Sequence, residues 1–252
     1  MLQIIRETTH DEQQCAYLPD RGARMRYRLI DACPEDDYQQ MLERGWRRFG
    51  RVFFRPACEG CWECRSLRVD VAAFEPNRSM RRTVRRNQDL EIVLRSPSIT
   101  RQHLELYQRY HRDMAARRAW PDKDSTPVDY FQTFVEGSER FGRELLFLEG
   151  ERLVAVALVD VLPQAVSAVY CFYDPEMRRR SLGVFSVLQQ VALAESRGVP
   201  YLYLGYWVAG NASMRYKANY HPHQILAGRP KASEAPSWRQ PAADAVHSEV
   251  SS

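Results

Sequence analysis

Three cysteines spaced C-x2-C-x2-C (Cys58, Cys61 and Cys64) are the residues of this chain whose type and spacing most directly suit chemistry. Soft ligands this close in sequence converge on one metal at little cost in loop entropy, and thiolates hold zinc or iron–sulfur clusters. The competing reading is a set of reduced, buried thiols. A second pattern follows them. Arg78, Arg81, Arg82, Arg85 and Arg86 recur at i, i+3, i+4, i+7 and i+8, which puts five guanidinium groups on one helix face. Met80 and Val84 fall on another, partly apolar face. No acid lies between Glu75 and Asp89 to balance the arginines. Such a face repels itself in water and suits a polyanion laid against it, with a solvated charged surface as the alternative.

These groups need elements to position them. The alternation in 24–30 predicts a strand, Pro34 opens a helix that stops at Gly45, and Val52, Phe53 and Phe54 make a short strand directly before the cysteines. Residues 1–14 read as a lead-in strand or arm anchored by Leu2, Ile4 and Ile5. From Leu67 strands and helices alternate: a strand over Arg68–Phe74, the arginine-faced helix, a strand over Glu91–Arg95 and a helix over Ile99–Arg118. A further helix over Val128–Ser138 and strands over Leu145–Glu149, Leu153–Val161 and Ala165–Phe172 follow, the last two joined by a hairpin with Pro163 at its corner. Then comes a crossover. A strand ends at Tyr173, Arg178-Arg-Arg-Ser-Leu-Gly forms a loop, Val184–Ser196 an apolar helix, and Tyr201–Trp207 returns as a buried strand. The loop lies at a helix N-terminus, a natural anion site that contains Arg180, Ser181 and Gly183. A helix over Ala212–Asn219 and a strand near Gln224–Leu226 close the unit. From Arg229 onward Pro, Ala, Ser and charges predominate, which predicts a disordered tail.

Composition bounds the rest. At 252 residues, 44% hydrophobic and 11% aromatic, the chain can build a substantial core. The net charge of +4 is modest, but the basic excess sits in 21–55 and 78–118, and patches matter more than totals for binding. No apolar run approaches the roughly 20 residues that span a bilayer. The polar start is unlike a signal peptide, so a cytoplasmic protein with reduced cysteines is expected.

The order Gly-Trp-Arg-Arg-Phe-Gly from Gly45, Arg-Pro-x-Cys-x-x-Cys-x-x-Cys from Arg55, Arg-Val at 68–69, and Phe-x-Pro-x-Arg-Ser-x-Arg-Arg from Phe74 resembles the aminoacyl-tRNA–protein transferases. The likeness runs from about Cys15 to about Leu226 and is closer to the bacterial branch. That branch transfers leucine to Asp or Glu N-termini and so marks proteins for N-degron (N-end rule) degradation; eukaryotic relatives transfer arginine. Asn77 departs from the Ser expected before Arg78, yet Asn also caps helices. The resemblance implies an α/β (α+β) fold: an acetyltransferase-like (GNAT-like) domain over 67–228, preceded by a small cysteine-containing domain over 1–66, with 229–252 as the tail. It also implies charged tRNA as co-substrate and partner, leucyl-tRNA in the bacterial pattern, and it turns the arginine face and the crossover loop into tRNA-binding candidates. Family members carry a cysteine-ligated centre. Cys15 fits the first member of a family Cys pair whose second position is Leu18 here, which makes Cys15, Cys58, Cys61 and Cys64 a four-thiolate set for an iron–sulfur cluster or zinc.

The chemistry implied is attack of an N-terminal amine on the ester of a charged tRNA. An α-amine titrates near pH 8, so proximity and oxyanion stabilisation suffice, and no nucleophilic triad is expected. Candidates beside the crossover are Tyr170, Asp174, Tyr206 and Lys217: Asp174 to orient the amine, Tyr206 or Lys217 to hold the oxyanion or the leaving oxygen. Each reads equally well as a core tyrosine or a loop cap. An apolar pocket for leucine is expected from Leu182, Phe185, Leu204 and Trp207. An acidic acceptor calls for an arginine that the sequence does not single out. Two other classes compete. A plain acetyl-CoA enzyme is disfavoured because Gly183 stands alone and Phe185 occupies the position of the second small residue of its phosphate loop. A nucleic-acid-binding module with structural zinc explains the thiols and arginines but leaves the crossover without a role. Leucine against arginine as donor stays open.

Overall fold

The computed structural model describes residues 1–118, 120 and 125–241. Two sheets carry the architecture. The first is antiparallel and four-stranded, in the order β1 (Gln3–Thr9), β4 (Met25–Ala32), β6 (Val52–Pro56), β5 (Arg47–Phe49). A two-stranded ribbon, β2 (Gln13–Gln14) with β3 (Gly22–Ala23), flanks it. Helix α1 (Glu35–Glu43) follows Pro34, carries Glu35, Asp36 and Asp37 in its first turn, and ends before Gly45, whose φ of +83° only glycine adopts readily. Its buried Tyr38, Met41 and Leu42 pack with Ile30, Trp46 and Phe53. Ile4 and Ile5, expected as anchors, are exposed instead, because β1 is an edge strand.

The second sheet has eight strands: β14 (Trp238–Arg239), β13 (His223–Leu226), β7 (Arg65–Asp70), β12 (Tyr201–Trp207), β11 (Ala165–Tyr173), β10 (Arg152–Leu162), β9 (Gly142–Glu149) and β8 (Glu91–Arg95). Strand β10 is buried along almost its whole length because helices cover both faces of the sheet. On one face α5 (Leu182–Ser196) packs its Leu182, Phe185, Leu188 and Val191 against Phe147, Val154 and Leu202. On the other, α3 (Arg101–Arg118) sets Leu106, Tyr107, Tyr110 and Met114 against Leu146, Val156 and Phe172. Helix α4 (Pro127–Tyr130), opened by a Thr126–Asp129 capping box, runs into a π-helical turn at Phe131–Val135. Helix α2 (Arg78–Arg86) is capped by the Asn77 side chain, which accepts from the Met80 amide at 3.0 Å. The antiparallel run β8–β11, the parallel β11/β12 pair and the α5 crossover make an acetyltransferase-like sheet.

Other sequence expectations also differ from what is seen: the strand expected over Arg68–Phe74 is Arg65–Asp70. The segment expected as a helix over Ala212–Asn219 is a 3-10 turn at Arg215–Asn219. Residues 229–241 are ordered, not structureless: Arg229 donates to the Cys58 carbonyl at 2.6 Å and the Cys61 carbonyl at 2.5 Å, and β14 extends the large sheet. The arginine finds backbone acceptors, and Trp238 packs edge-on against Tyr203, which is more than its composition suggested. Residues 242–252 lie outside the described residues. No helix among the described residues is long and apolar enough to cross a membrane.

The sheets are joined by buried polar contacts. Arg48, from β5, pairs with Asp160 on β10: Nε lies 3.0 Å from one carboxylate oxygen and Nη2 meets the other. Tyr38 donates to the same carboxylate at 2.7 Å. The Tyr206 hydroxyl, on β12, shares its one proton between the carbonyls of Gly45 (2.9 Å) and Phe54 (3.1 Å).

Candidate functional site

Strands β11 and β12 are the parallel pair of the large sheet, and they meet only where Ala165, Val166 and Ser167 face Tyr201, Leu202 and Tyr203. Beyond these rungs the strands part. The backbone groups released by that split need other partners, and Arg47 enters from β5 to supply some. Its Nη1 donates to Ser167 Oγ at 2.9 Å and its Nη2 to the Ala168 carbonyl. Gly205, with φ of +79°, lies against the guanidinium; its missing Cβ would stand 3.5 Å from Arg47 Nε. Lys217 is buried beside the fork and donates from Nζ to the Tyr206 carbonyl at 2.6 Å. Burial chiefly, and the Arg47 charge next, push its pKa down to about 7, while the Cys64 sulfur works the other way.

The four residues expected to act in catalysis do not form one cluster. Tyr206 and Lys217 meet on the β12 side, but the Tyr206 hydroxyl is committed to two carbonyls of the small sheet, and burial raises its pKa well above the ordinary value. It is a girder, not an oxyanion donor. Asp174 is fully buried at the end of β11, where it caps the Pro175–Arg180 turn through the Glu176 amide (3.0 Å) and pairs with Arg152 and Arg109. With both oxygens so held, it is not placed to orient an amine. Tyr170, on β11, faces α3, its hydroxyl 3.0 Å from His111 Nε2, its ring among Phe49, Phe134 and Tyr107. Leu182, Phe185, Leu204 and Trp207 belong to the main core, so they line no open pocket. Beside the fork, Phe49, Val169 and Tyr170 are partly buried against the core under α3, and Phe54 packs on Phe49. Arg47 was not among the expected site residues, although the Gly-Trp-Arg-Arg-Phe-Gly run that carries it was singled out.

The arginine face is as the spacing requires. Arg78, Arg81, Arg82, Arg85 and Arg86 are exposed while Met80 and Thr83 are buried, and none of the five has a carboxylate partner among the described residues. Arg86 donates to the Arg179 carbonyl and Asn87 Nδ2 to the Arg180 carbonyl (2.9 Å), so this face and the loop before α5 form one surface. Arg180 has another task. Its guanidinium is held by Asp89, Glu149 (2.9 Å) and Asn87 (3.0 Å), which makes it a lock between α2 and the sheet and leaves it little freedom to reach a phosphate. Ser181 sits in the left-handed region at φ 55° and its side chain does not cap α5. Gly183 passes the Tyr173 ring, which a Cβ would approach to 3.3 Å. Removing both Arg81 and Arg85 to Ala should weaken RNA binding and flatten the slope of log K against log salt by about one unit per lost phosphate contact. An unchanged slope returns the helix to a merely solvated face.

The thiols of Cys15, Cys58, Cys61 and Cys64 are free, half-buried and within electrostatic reach of one another. Burial first, and then Cys15, Cys58 and Cys61, push the Cys64 thiol up to about 12. Cations surround the set: Arg21 donates to Cys61 Sγ at 3.5 Å, the Arg24 amide to Cys58 Sγ at 3.3 Å, and Arg229 clasps the loop carbonyls. The donor chemistry fits a thiophilic centre carrying net negative charge. As the side chains lie, no three His, Cys, Asp or Glu groups among the described residues stand together as a metal-holding set.

A family model described as "Arginine-tRNA-protein transferase, N terminus" matches residues 13–82, and its C-terminal counterpart matches residues 102–227. The chain is 42% identical over 217 residues to an aspartate/glutamate leucyltransferase of Campylobacter jejuni, covering 86% of this chain and 91% of that one. It is 38% identical over 228 residues to the Helicobacter hepaticus protein of the same name (90% and 95% covered), and 41% identical over 217 residues to that of Halorhodospira halophila (86% and 92% covered). Among solved structures, the C-terminal domain of a lysylphosphatidylglycerol synthetase from Agrobacterium fabrum superposes with a TM-score of 0.44 at 14% identity, over 67% of this chain and 61% of that one. From both halves of the family model and from relatives matched over most of their length, the chain belongs to the arginine-tRNA-protein transferase family, among relatives named aspartate/glutamate leucyltransferases.

Proposed function

We propose that this aminoacyltransferase moves leucine from leucyl-tRNA to the N-terminal amine of proteins that begin with Asp or Glu. The observation that carries the reading is the extended identity to leucyltransferases of three bacteria across both halves of the chain. The geometry supports it. An exposed arginine face continuous with the loop before α5 offers a track for the tRNA through Arg78, Arg81, Arg82, Arg85 and Arg86. At the strand fork, the partly buried Phe49, Phe54 and Val169 offer apolar contact that suits an aliphatic side chain better than a cationic one. Ester and amine meet there by proximity, with Lys217, buried beside the fork, as the proton carrier of this reading. In this reading residues 67–228 transfer the acyl group and residues 1–66 support them.

The deciding experiment offers labelled leucyl-tRNA and arginyl-tRNA, side by side, with peptides starting Asp, Glu, Lys or Ala. The reading requires label from leucyl-tRNA on the acidic peptides alone. Label from arginyl-tRNA keeps the family and overturns the donor; acetylation from acetyl-CoA without tRNA-dependent transfer overturns the reading altogether.

The proposal extends to the thiols: Cys15, Cys58, Cys61 and Cys64 would hold zinc or an iron–sulfur cluster that ties the cysteine loop to the ribbon of β2 and β3. Protein purified without oxygen should carry the metal and lose it in Cys61→Ser. Metal-free wild-type protein ends that idea.

A further inference from the structure

Strand β5 presents two consecutive arginines, and both are buried: Arg47 is 7% exposed and Arg48 4%. Their surroundings differ in one respect. Arg48 is neutralised by the Asp160 carboxylate. Arg47 has only neutral acceptors, the Ser167 hydroxyl and the Ala168 carbonyl, and forms no ion pair among the described residues. Lys217, 8% exposed and also without a carboxylate partner among the described residues, lies close enough for the two cations to disturb each other. Uncompensated buried charge costs several kcal/mol, and a fold that needed only to plug the fork could use an uncharged donor.

The position of this charge matters as much as its lack of a partner. Arg47 stands where β11 and β12 separate, with Gly205 folded against its guanidinium and the partly buried Phe49, Phe54 and Val169 nearby. Ligands in sheets of this kind enter where neighbouring strands diverge. A side-chain carboxylate on two or three bonds is slim enough to pass between two strands, whereas a phosphodiester carries a sugar on either side. A planar guanidinium recognises a carboxylate by paired, charge-assisted hydrogen bonds.

We infer that Arg47, assisted by Lys217, is the acceptor-specificity site: its guanidinium takes the side-chain carboxylate of the N-terminal Asp or Glu of the protein substrate. This rests on the reading of the enzyme as a transferase to acidic N-termini. The bound carboxylate supplies the counter-charge that the fold leaves out, and it places the adjacent α-amine at the fork. Asn or Gln at the same position brings no charge and gains only neutral hydrogen bonds.

The test compares wild type, Arg47→Gln and Arg47→Lys on peptides that start Asp or Asn, with leucyl-tRNA saturating and then varied. In wild type the Asp peptide is preferred. In Arg47→Gln the KM for the Asp peptide should rise by about 30-fold, the weight of a lost charge-assisted hydrogen bond. The KM for leucyl-tRNA and the kcat on saturating peptide should stay within about threefold, and the preference for Asp over Asn should collapse. Arg47→Lys keeps the charge and loses the fork geometry, so its preference should fall between the two. A merely structural arginine would lower both peptides' rates together and leave their ratio unchanged, which overturns the inference. Should Arg47→Gln fail to fold, as judged by circular dichroism, the Asp-to-Asn ratio of Arg47→Lys decides alone: an unaltered ratio overturns the assignment. A rise in the KM for leucyl-tRNA with the Asp preference intact assigns Arg47 to the RNA and likewise overturns it. Wild type that labels no acidic peptide overturns the leucyl reading first, and this inference with it.

Discussion

Asp160→Ala should unfold at a temperature lower by roughly 10 °C, a loss of about 3–5 kcal/mol. The carboxylate is 0% exposed and holds two partners, the Arg48 guanidinium of the small sheet and the Tyr38 hydroxyl of α1 at 2.7 Å. Its removal leaves Arg48, 4% exposed, as a buried cation answered by the Gly50 carbonyl (3.0 Å) and the face of the Phe141 ring, with no carboxylate among the described residues. Asp160→Asn keeps the shape and one acceptor oxygen, so it should fall between alanine and wild type. Tyr38→Phe removes one hydrogen bond and leaves the ion pair, for about 1 kcal/mol. Chemical denaturation of the three variants checks the order. Equal losses for Asp160→Ala and Tyr38→Phe would mean that the ion pair does not join the sheets.

Lys217→Met should do the opposite and stabilise the fold, most strongly in mild acid. Burial and Arg47 push the Lys217 pKa down to about 7, from 10.5 in the exposed side chain. Below pH 7 the folded protein must bury an ammonium that the unfolded chain keeps in water, which costs stability. Between about pH 7 and 10.5 only the unfolded chain holds the proton, so wild-type stability rises with pH through that window, and above it the cost has vanished. Methionine has nothing to protonate. The variant should therefore gain about 2–3 kcal/mol at pH 6, after allowance for the lost hydrogen bond to the Tyr206 carbonyl, and the gap should close towards pH 10. Urea midpoints across that range measure it; a gap independent of pH would show that Lys217 is charged in the folded state throughout.

The parts of this protein legible in the sequence are those governed by local pattern. The arginine face of α2 follows from a helix repeat, and Asn77 takes the cap position expected of it. The crossover from β11 through α5 to β12 follows from apolar runs split by a polar loop. The site itself was harder to read because its chemistry is settled by long-range contacts. Nothing local says that the Tyr206 hydroxyl is consumed by Gly45 and Phe54, more than 150 residues earlier in the chain. Asp174 reads as a free carboxylate at a strand end until Arg109 and Arg152 are brought beside it. Arg47 and Arg48 are indistinguishable in sequence, and only the fold gives one a carboxylate and leaves the other at the fork. The expected leucine pocket failed for a related reason: Leu182, Phe185, Leu204 and Trp207 are apolar because the core needs them, and hydrophobicity alone does not distinguish a core from a cavity.

Distance along the chain between partners has a consequence during synthesis. Arg48 waits 112 residues for Asp160, and the cysteine loop waits 171 for the Arg229 that clasps Cys58. At a ribosomal pace of about 5–20 residues per second, the first delay alone lasts on the order of 10 s. For that interval the nascent small sheet shows the cell an unneutralised arginine, an unsealed aromatic face and four unprotected thiols. The small sheet is translated before the partners that complete it, and it stays unfinished while the intervening chain is made.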